Sequence, residues 1–212
     1  MGIQRKALQL YDWPMAGLRP YEFTIPDNAL QHVVSADTGD NWTEGGTVTL
    51  DNEWLPIPMS LVYKATDAGN NLDLDITVTG RNQFGERIEE KVTLDVTSGG
   101  STTVRGTKVF ARIEKIVTTG LLNNAVADLL DVGYEVNAST LYGLPIKINK
   151  AGSGVADNSG NSKDTIKTVF KAGALNKATI TVDPVTHAIK DSGPFAADQT
   201  IQVVFNEPFP DR

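Results

Sequence analysis

Leu72-Asp73-Leu74-Asp75-Ile76-Thr77-Val78-Thr79 is the stretch whose reading decides the fold. Leu72, Leu74, Ile76 and Val78 point one way, and Asp73, Asp75, Thr77 and Thr79 the other. Only a half-buried β-strand produces that pattern. A polar segment with glycine at each end follows, Gly80-Arg81-Asn82-Gln83-Phe84-Gly85. Then the alternation resumes, with Ile88, Val92, Leu94 and Val96 against Glu89, Lys91, Thr93 and Asp95. Two alternating runs around such a turn predict a β-hairpin.

Working outward, Ala178–Val182 and Ile201–Phe205 alternate in the same way. Further strands are expected at Leu30–Ser35, Thr47–Leu50, Ser60–Lys64, Ile146–Asn149 and Thr165–Lys171, where Thr and Val suit a pleated surface. Phe110–Thr118 breaks its own alternation, because Ala111 and Ile113 share a face and Ile116 falls on the other. A bulge near Glu114-Lys115 accounts for this. Leu122, Val126, Leu129 and Leu130 stand at helical spacing behind Asn124, so Leu121–Asp131 is read as one short helix or turn. Val132–Val136 reads as a strand. The fold class is therefore all-β, a sandwich or jelly roll with turn signals every ten residues or so. A parallel α/β fold is disfavoured because crossover helices are missing.

Two segments differ from the rest. Residues 1–26 contain Trp13-Pro14, Arg19-Pro20 and Ile25-Pro26, and each pre-proline residue is biased to extended conformations. They read as an N-terminal arm. Residues 150–162 are rich in Gly, Ser, Asn and Ala and read as a flexible loop or linker. They are expected to separate a main β-sandwich, 27–149, from a C-terminal β unit, 163–212, which either stands alone or completes the same sandwich.

Composition narrows the function classes. The chain has 212 residues, 19 Lys+Arg against 26 Asp+Glu, a net charge of −7, two histidines and no cysteine. Disulfides, thiolate metal sites and cysteine nucleophiles are excluded. Two histidines do not make a three-histidine metal site. The acidic balance speaks against a nucleic-acid partner. No apolar run reaches the ~18 residues of a membrane helix, and Met1–Tyr11 lacks the apolar core of a signal peptide.

Each candidate site has a plain structural alternative. Asp37-Thr38-Gly39 and Asp191-Ser192-Gly193 mimic the paired carboxylates of an aspartic protease, yet such triplets are ordinary turns and Lys190 would set a cation against the dyad. Asp37, Asp40, Asn41 and Glu44 offer hard oxygen ligands for calcium, but the twelfth position from Asp37 is Val48, not the glutamate of an EF-hand. His32 and His187 read as packing or surface residues. Asn41-Trp42-Thr43 and Asn137-Ala138-Ser139 read as chance sequons. No catalytic, cofactor or metal residue is assigned. Tyr11, Trp13, Tyr21 and Phe23 make the arm aromatic, and aromatic anchors on a proline-stiffened segment bury area at low entropic cost. Two readings stand for them: docking on a partner, or packing onto their own domain.

The hairpin segment Thr79-Gly80-Arg81-Asn82-Gln83-Phe84-Gly85, with Glu89-Glu90 and Val92-Thr93-Leu94 behind it, resembles a pattern in virion structural proteins of tailed bacteriophages. Gly106-Thr107-Lys108-Val109-Phe110, Tyr142-Gly143-Leu144-Pro145-Ile146 and a closing hairpin of Ala178–Val182 with Ile201–Phe205 extend the resemblance over residues 70–212. It implies a capsid decoration or cement protein with a β-sandwich core, no cofactor and no enzymatic activity. Its partners would be the major capsid protein and further copies of itself, as a trimer. It would be made in the host cytoplasm and end on the outer surface of the phage head. A tail or head–tail-joining component, a fibre base and a carbohydrate-binding module are the alternatives.

Overall fold

A computed structural model describes residues 20–39, 42–148, 166–171, 174–175, 180–191, 193 and 195–205. The chain is all-β and sandwich-like, built from antiparallel sheets, and no α-helix occurs among the described residues. The deciding stretch forms β6 (Asp73–Arg81), which pairs with β7 (Arg87–Thr93) from Asp75↔Thr93 to Arg81↔Arg87. Leu72, Leu74, Ile76 and Val78 are all buried. Each such side chain removed from water contributes roughly 1.5–3 kcal/mol, enough to fix the register, since a slip of one residue would expose all four.

On its other side β6 pairs with β9 (Phe110–Leu122). Thr79 faces Lys115 and Gly80 faces Ile113, so Glu114 is the extra residue. The bulge expected from the broken alternation lies there, and a second interrupts the pairing at Thr119. The sheet continues through β4 (Trp54–Met59), β11 (Tyr142–Gly143), β15 (Ala188–Asp191) and β14 (Ile180–Asp183), with β3 (Thr47–Val48) also on β9. Strand β4 escaped the sequence reading because it contains Pro56 and Pro58, which have no N–H for a ladder. The pairing jumps from Trp54↔Arg112 to Met59↔Phe110, so the prolines sit in an irregular stretch between the two contacts.

A second sheet runs β2 (Ala29–Thr38), β10 (Leu129–Tyr134), β5 (Val62–Thr66) and β8 (Ser101–Arg105). A third runs β1 (Pro20–Thr24), β16 (Thr200–Phe205), β12 (Ile166–Lys171) and β13 (Ala174–Leu175). Phe23, Ile201 and Val203 from this sheet share one core with Val34, Tyr63 and Val132 from the second and Ile76, Phe110 and Ile116 from the first. The C-terminal strands therefore complete the same core, with β14 and β15 joined to the large sheet through β11.

Two sequence expectations change and one narrows. Of the short helix or turn read at Leu121–Asp131, the turn is what forms: β9 runs to Leu122, and the Asp128 carboxylate takes the N–H of Ala125 at 2.6 Å and of Ala68 at 2.7 Å, closing it. Ile146–Ile148 pairs with no strand, and the ladder residues are Tyr142-Gly143. The closing strands do not pair with each other, because β14 pairs with β15 while β16 pairs with β1 and β12.

The carboxylates buried among the described residues accept backbone N–H groups. Asp67 accepts four N–H groups, from Gly99 at 2.7 Å, Gly69 at 2.8 Å, Leu72 at 3.0 Å and Asn70 at 3.2 Å. Desolvation raises its pKa, but those amides outweigh it and hold the carboxyl below its ordinary value. Loops without helix or sheet bonding obtain their acceptors in this way.

Candidate interaction site

The packed part of the chain reaches further back than the prolines suggest. Residues 20–24 form β1, an edge strand registered on β16 from Pro20↔Val204 to Thr24↔Thr200. Tyr21, Phe23 and Ile25 alternate inward against exposed Glu22 and Thr24. Phe23 is 7% exposed and its ring centroid lies 6.1 Å from that of Tyr142 and 5.5 Å from that of Tyr21. Ile25 is fully buried and its N–H donates to Gln199 O at 3.0 Å. Of the four residues expected to meet a partner, Phe23 is therefore part of the protein's own core, and Tyr21 is half-buried against it with a pKa raised by desolvation. The alternation Tyr21/Phe23/Ile25 was readable, but the flanking prolines drew the reading to an unpacked arm. Proline is compatible with the first position of an edge strand, which is where Pro20 stands. Tyr11 and Trp13 lie outside the described residues.

The segments behind the phage resemblance meet in space. Asn82 Oδ1 accepts the N–H of Phe84 at 2.9 Å and of Glu86 at 3.0 Å, and Gly85 supplies the left-handed φ of +77° that closes the turn. Arg81 bonds Gly85 O at 2.8 Å and the bulge residue Glu114 at 2.7 Å. Gln83 reaches across the molecule and donates to Thr186 O at 2.8 Å. Beneath it lies Gly143, where a Cβ would stand 2.7 Å from Val109 Cγ1 and 3.1 Å from Gln83 Cδ. Further along the hairpin, the Glu90 carboxylate takes Thr107 N at 2.6 Å, Thr107 Oγ1 at 3.0 Å, Lys108 N at 3.2 Å and Tyr63 Oη at 2.8 Å. The Tyr63 hydroxyl is pushed well up, first by burial and then by that carboxylate. Sequence reasoning missed Glu90, although its even position put it on the inward face with Ile88 and Val92.

His187 closes this corner. It has a φ of +53°, its Nδ1 accepts Ile148 N–H at 3.0 Å, and its ring lies edge-on to Phe84 at 5.4 Å. Lys147 sits over Phe84 at 5.4 Å and bridges to Glu86 at 2.5 Å. Burial, then the Lys147 charge, lower the His187 pKa, against smaller opposing effects from Glu86 and Asp183. A protonated Nδ1 cannot accept the Ile148 N–H. The neutral form is thus the one that fits, and the unfolded chain binds the proton more readily. Stability from this group is complete above the unfolded value of about 6.5 and is lost as pH falls through the lower folded value. Thermal melts at pH 7.5 and 5.5 should therefore show a drop in Tm on acidification, and His187→Asn, which tolerates a positive φ, should flatten it. An unchanged slope in the variant would remove His187 from the account.

The remaining candidates separate. Asp37 is the last residue but one of β2 and accepts Trp42 Nε1–H at 3.0 Å, while Asp191 ends β15 in another sheet, so the protease-like triplets are used by different parts of the fold. Asp40 and Asn41 lie outside the described residues, among which no group of three or more His, Asp or Glu is placed to hold a metal ion. Asp73 hydrogen-bonds Asp95 and, with burial and the charges of Asp73 and Asp75, raises its pKa.

Where β2 meets the approach to β4, an open groove of about 630 Å³ is lined by Gln31, His32, Asn52, Lys64 and Asp131. It exists because β2 bulges twice against β10, opposite Asp131 and opposite Gly133. Asp131 Oδ1 secures the first bulge by accepting the N–H of Ala36, held at φ +47°, at 2.8 Å, and also Gln31 Nε2–H at 3.0 Å. His32 Nε2 lies 2.8 Å from Trp54 O, and Asn52 Nδ2 donates to His32 O at 2.9 Å. Trp42 is buried, whereas Trp54 is 64% exposed. No protein-family model, no curated protein and no solved structure matches the chain.

Proposed function

We propose that this chain is a structural virion protein that decorates a tailed-phage capsid and cements it against internal pressure by binding assembled major capsid protein, as a homotrimer on the outer surface of the head. It acts by contact and catalyses no reaction. The observation that supports this reading is the joining of the resembling segments. Gly143 of the 142–146 step lies against Val109 and Gln83, Glu90 bonds the 106–108 turn, and Lys147–Glu86, Gln83–Thr186 and Ile148–His187 contacts flank them. They make a stiff scaffold, which is what a lattice tile needs. Many weak contacts repeated over a shell then act together through effective concentration. The residues assigned to the capsid contact are Tyr11 and Trp13, attached to the scaffold where β1 begins.

The test is a deletion that spares β1. Removing residues 1–19, and not Phe23, should leave Tm within about 2 °C of the full chain and abolish binding to shells stripped of this protein, counted by cryo-electron microscopy. Full occupancy by the truncated protein removes the arm from the mechanism. A single ring of copies at a vertex or tail, in place of lattice coverage of the head, removes the decoration reading itself.

A further inference from the structure

We propose that Trp54 and the adjoining groove form a binding site for a neutral oligosaccharide. This goes beyond the decoration reading and does not depend on it.

The indole of Trp54 is the large exposed aromatic surface among the described residues, and it is held still. The Arg112 guanidinium stacks over one face, 5.1 Å from the ring centroid, and is itself fixed by its Nε to Glu53 Oε2 at 3.0 Å. The backbone is fixed too: Trp54 pairs with Arg112, Ile113 N–H donates to Glu53 O at 2.7 Å, and the Trp54 carbonyl meets His32. A rigid flat ring with exposed area loses little freedom on binding. The axial C–H groups of a pyranose, apolar and slightly positive, suit the negative face of such a ring.

The groove beside it supplies what sugar hydroxyls need. Gln31 and Asn52 carry amides, Lys64 an ammonium and Asp131 a carboxylate. The carboxylate already binds Ala36 and Gln31, while Lys64, opposite Asp131 in the β5–β10 register, makes no salt bridge among the described residues. Positive and negative groups therefore share one surface, which favours an uncharged partner rich in both donors and acceptors. An anionic chain would meet a molecule of net charge −7. A protein hot spot would ring its tryptophan with apolar or occluding neighbours, whereas here all but Ala29 and Leu30 of the residues lining the groove are polar and the site is open. Lys64 lies two strands from β2, about 10 Å at the usual spacing between strands, so the polar groups of the groove extend over more than one sugar ring.

The test uses the full chain with hexasaccharides of β-linked glucose, α-linked glucose and N-acetylglucosamine, and a galacturonic acid hexamer as the charged control, titrated by calorimetry. Binding of at least one neutral hexamer with a Kd below 1 mM is expected. Trp54→Ala should weaken it at least tenfold, Trp54→Phe about threefold, and Asn52→Ala measurably, with Tm of each variant unchanged. Absence of binding to all three neutral hexamers, preference for the galacturonic acid hexamer, or affinity that Trp54→Ala leaves intact would overturn the proposal.

Discussion

Gly133→Ala should unfold or severely destabilise this protein. Gly133 lies in β10 at the second bulge of β2, where the β2 backbone crosses close above it. A Cβ there would stand 2.0 Å from Ala29 O, 2.5 Å from Leu30 C and 2.6 Å from Leu30 O. All three are main-chain atoms, so no side chain can rotate away. Relief requires β2 to lift from β10, opening the flank that covers Val33 and Val34. Overpacking a core costs about 1–3 kcal/mol when side chains can adjust. A backbone collision sits at or above the top of that range. The expected readout is a Tm lowered by about 10 °C or more, or loss of soluble protein. The control is Gly85→Ala, where nothing lies within 4 Å and only the φ of +77° is strained; it should lose about 1 kcal/mol. Equal effects at the two positions would show that close approach is not what Gly133 serves.

Glu90→Ala should be nearly as damaging, for an electrostatic reason. One carboxylate accepts hydrogen from Thr107 N, Thr107 Oγ1, Lys108 N and Tyr63 Oη at a position 7% exposed. Alanine leaves those donors without their acceptor where water has poor access. Hydrogen bonds to a charged group contribute about 1.5–3 kcal/mol each, and an orphaned buried donor costs about 1–3 kcal/mol. With partial relaxation the net loss should be about 3–5 kcal/mol, a third or more of a typical domain's stability. At this chain length that lowers Tm by roughly 6–20 °C. Glu90→Gln keeps one acceptor oxygen for Thr107 and Lys108 and should recover about half. Tyr63→Phe removes one bond and should cost about 1–2 kcal/mol. If alanine and glutamine behave alike, the carboxylate's bonds to the 106–108 turn are not what stabilises the corner.

These two positions also show what a sequence can and cannot disclose. The β6–β7 hairpin was legible because one face meets the core and the other meets solvent, so the residue types record the pleat directly. The Glu114 bulge was legible for the same reason, as a break in that record. Glu90 was not: parity placed it inward, but a buried glutamate signals nothing until the Gly106-Thr107-Lys108 turn is known to arrive beneath it. Leu122 and Val126 matched a helical spacing by coincidence. They are exposed residues around a turn closed by Asp128, whose carboxylate bonding has no periodicity to read. Strand β4 was hidden by its prolines. Of the four arm residues, Tyr21 and Phe23 carried a strand-like alternation that competed with a proline signal, and the alternation won because burying Phe23 outweighs the missing amide of Pro20. The groove was invisible, since it arises from two bulges in one strand and from the contrast between Trp42 and Trp54.

Strand β1 closes the third sheet against β16, with Pro20 opposite Val204. A polypeptide made from its N-terminus must therefore wait. On the ribosome, Phe23 and Ile25 emerge long before Thr200–Phe205, and β1 lacks β16, the strand it pairs with, until that segment has left the exit tunnel. Bringing such distant segments together carries a loop-closure entropy of roughly 5 kcal/mol, so this seam should form late and slowly, as distant β pairings do. During synthesis the early strand travels unpaired, open to nascent neighbours on the same polysome.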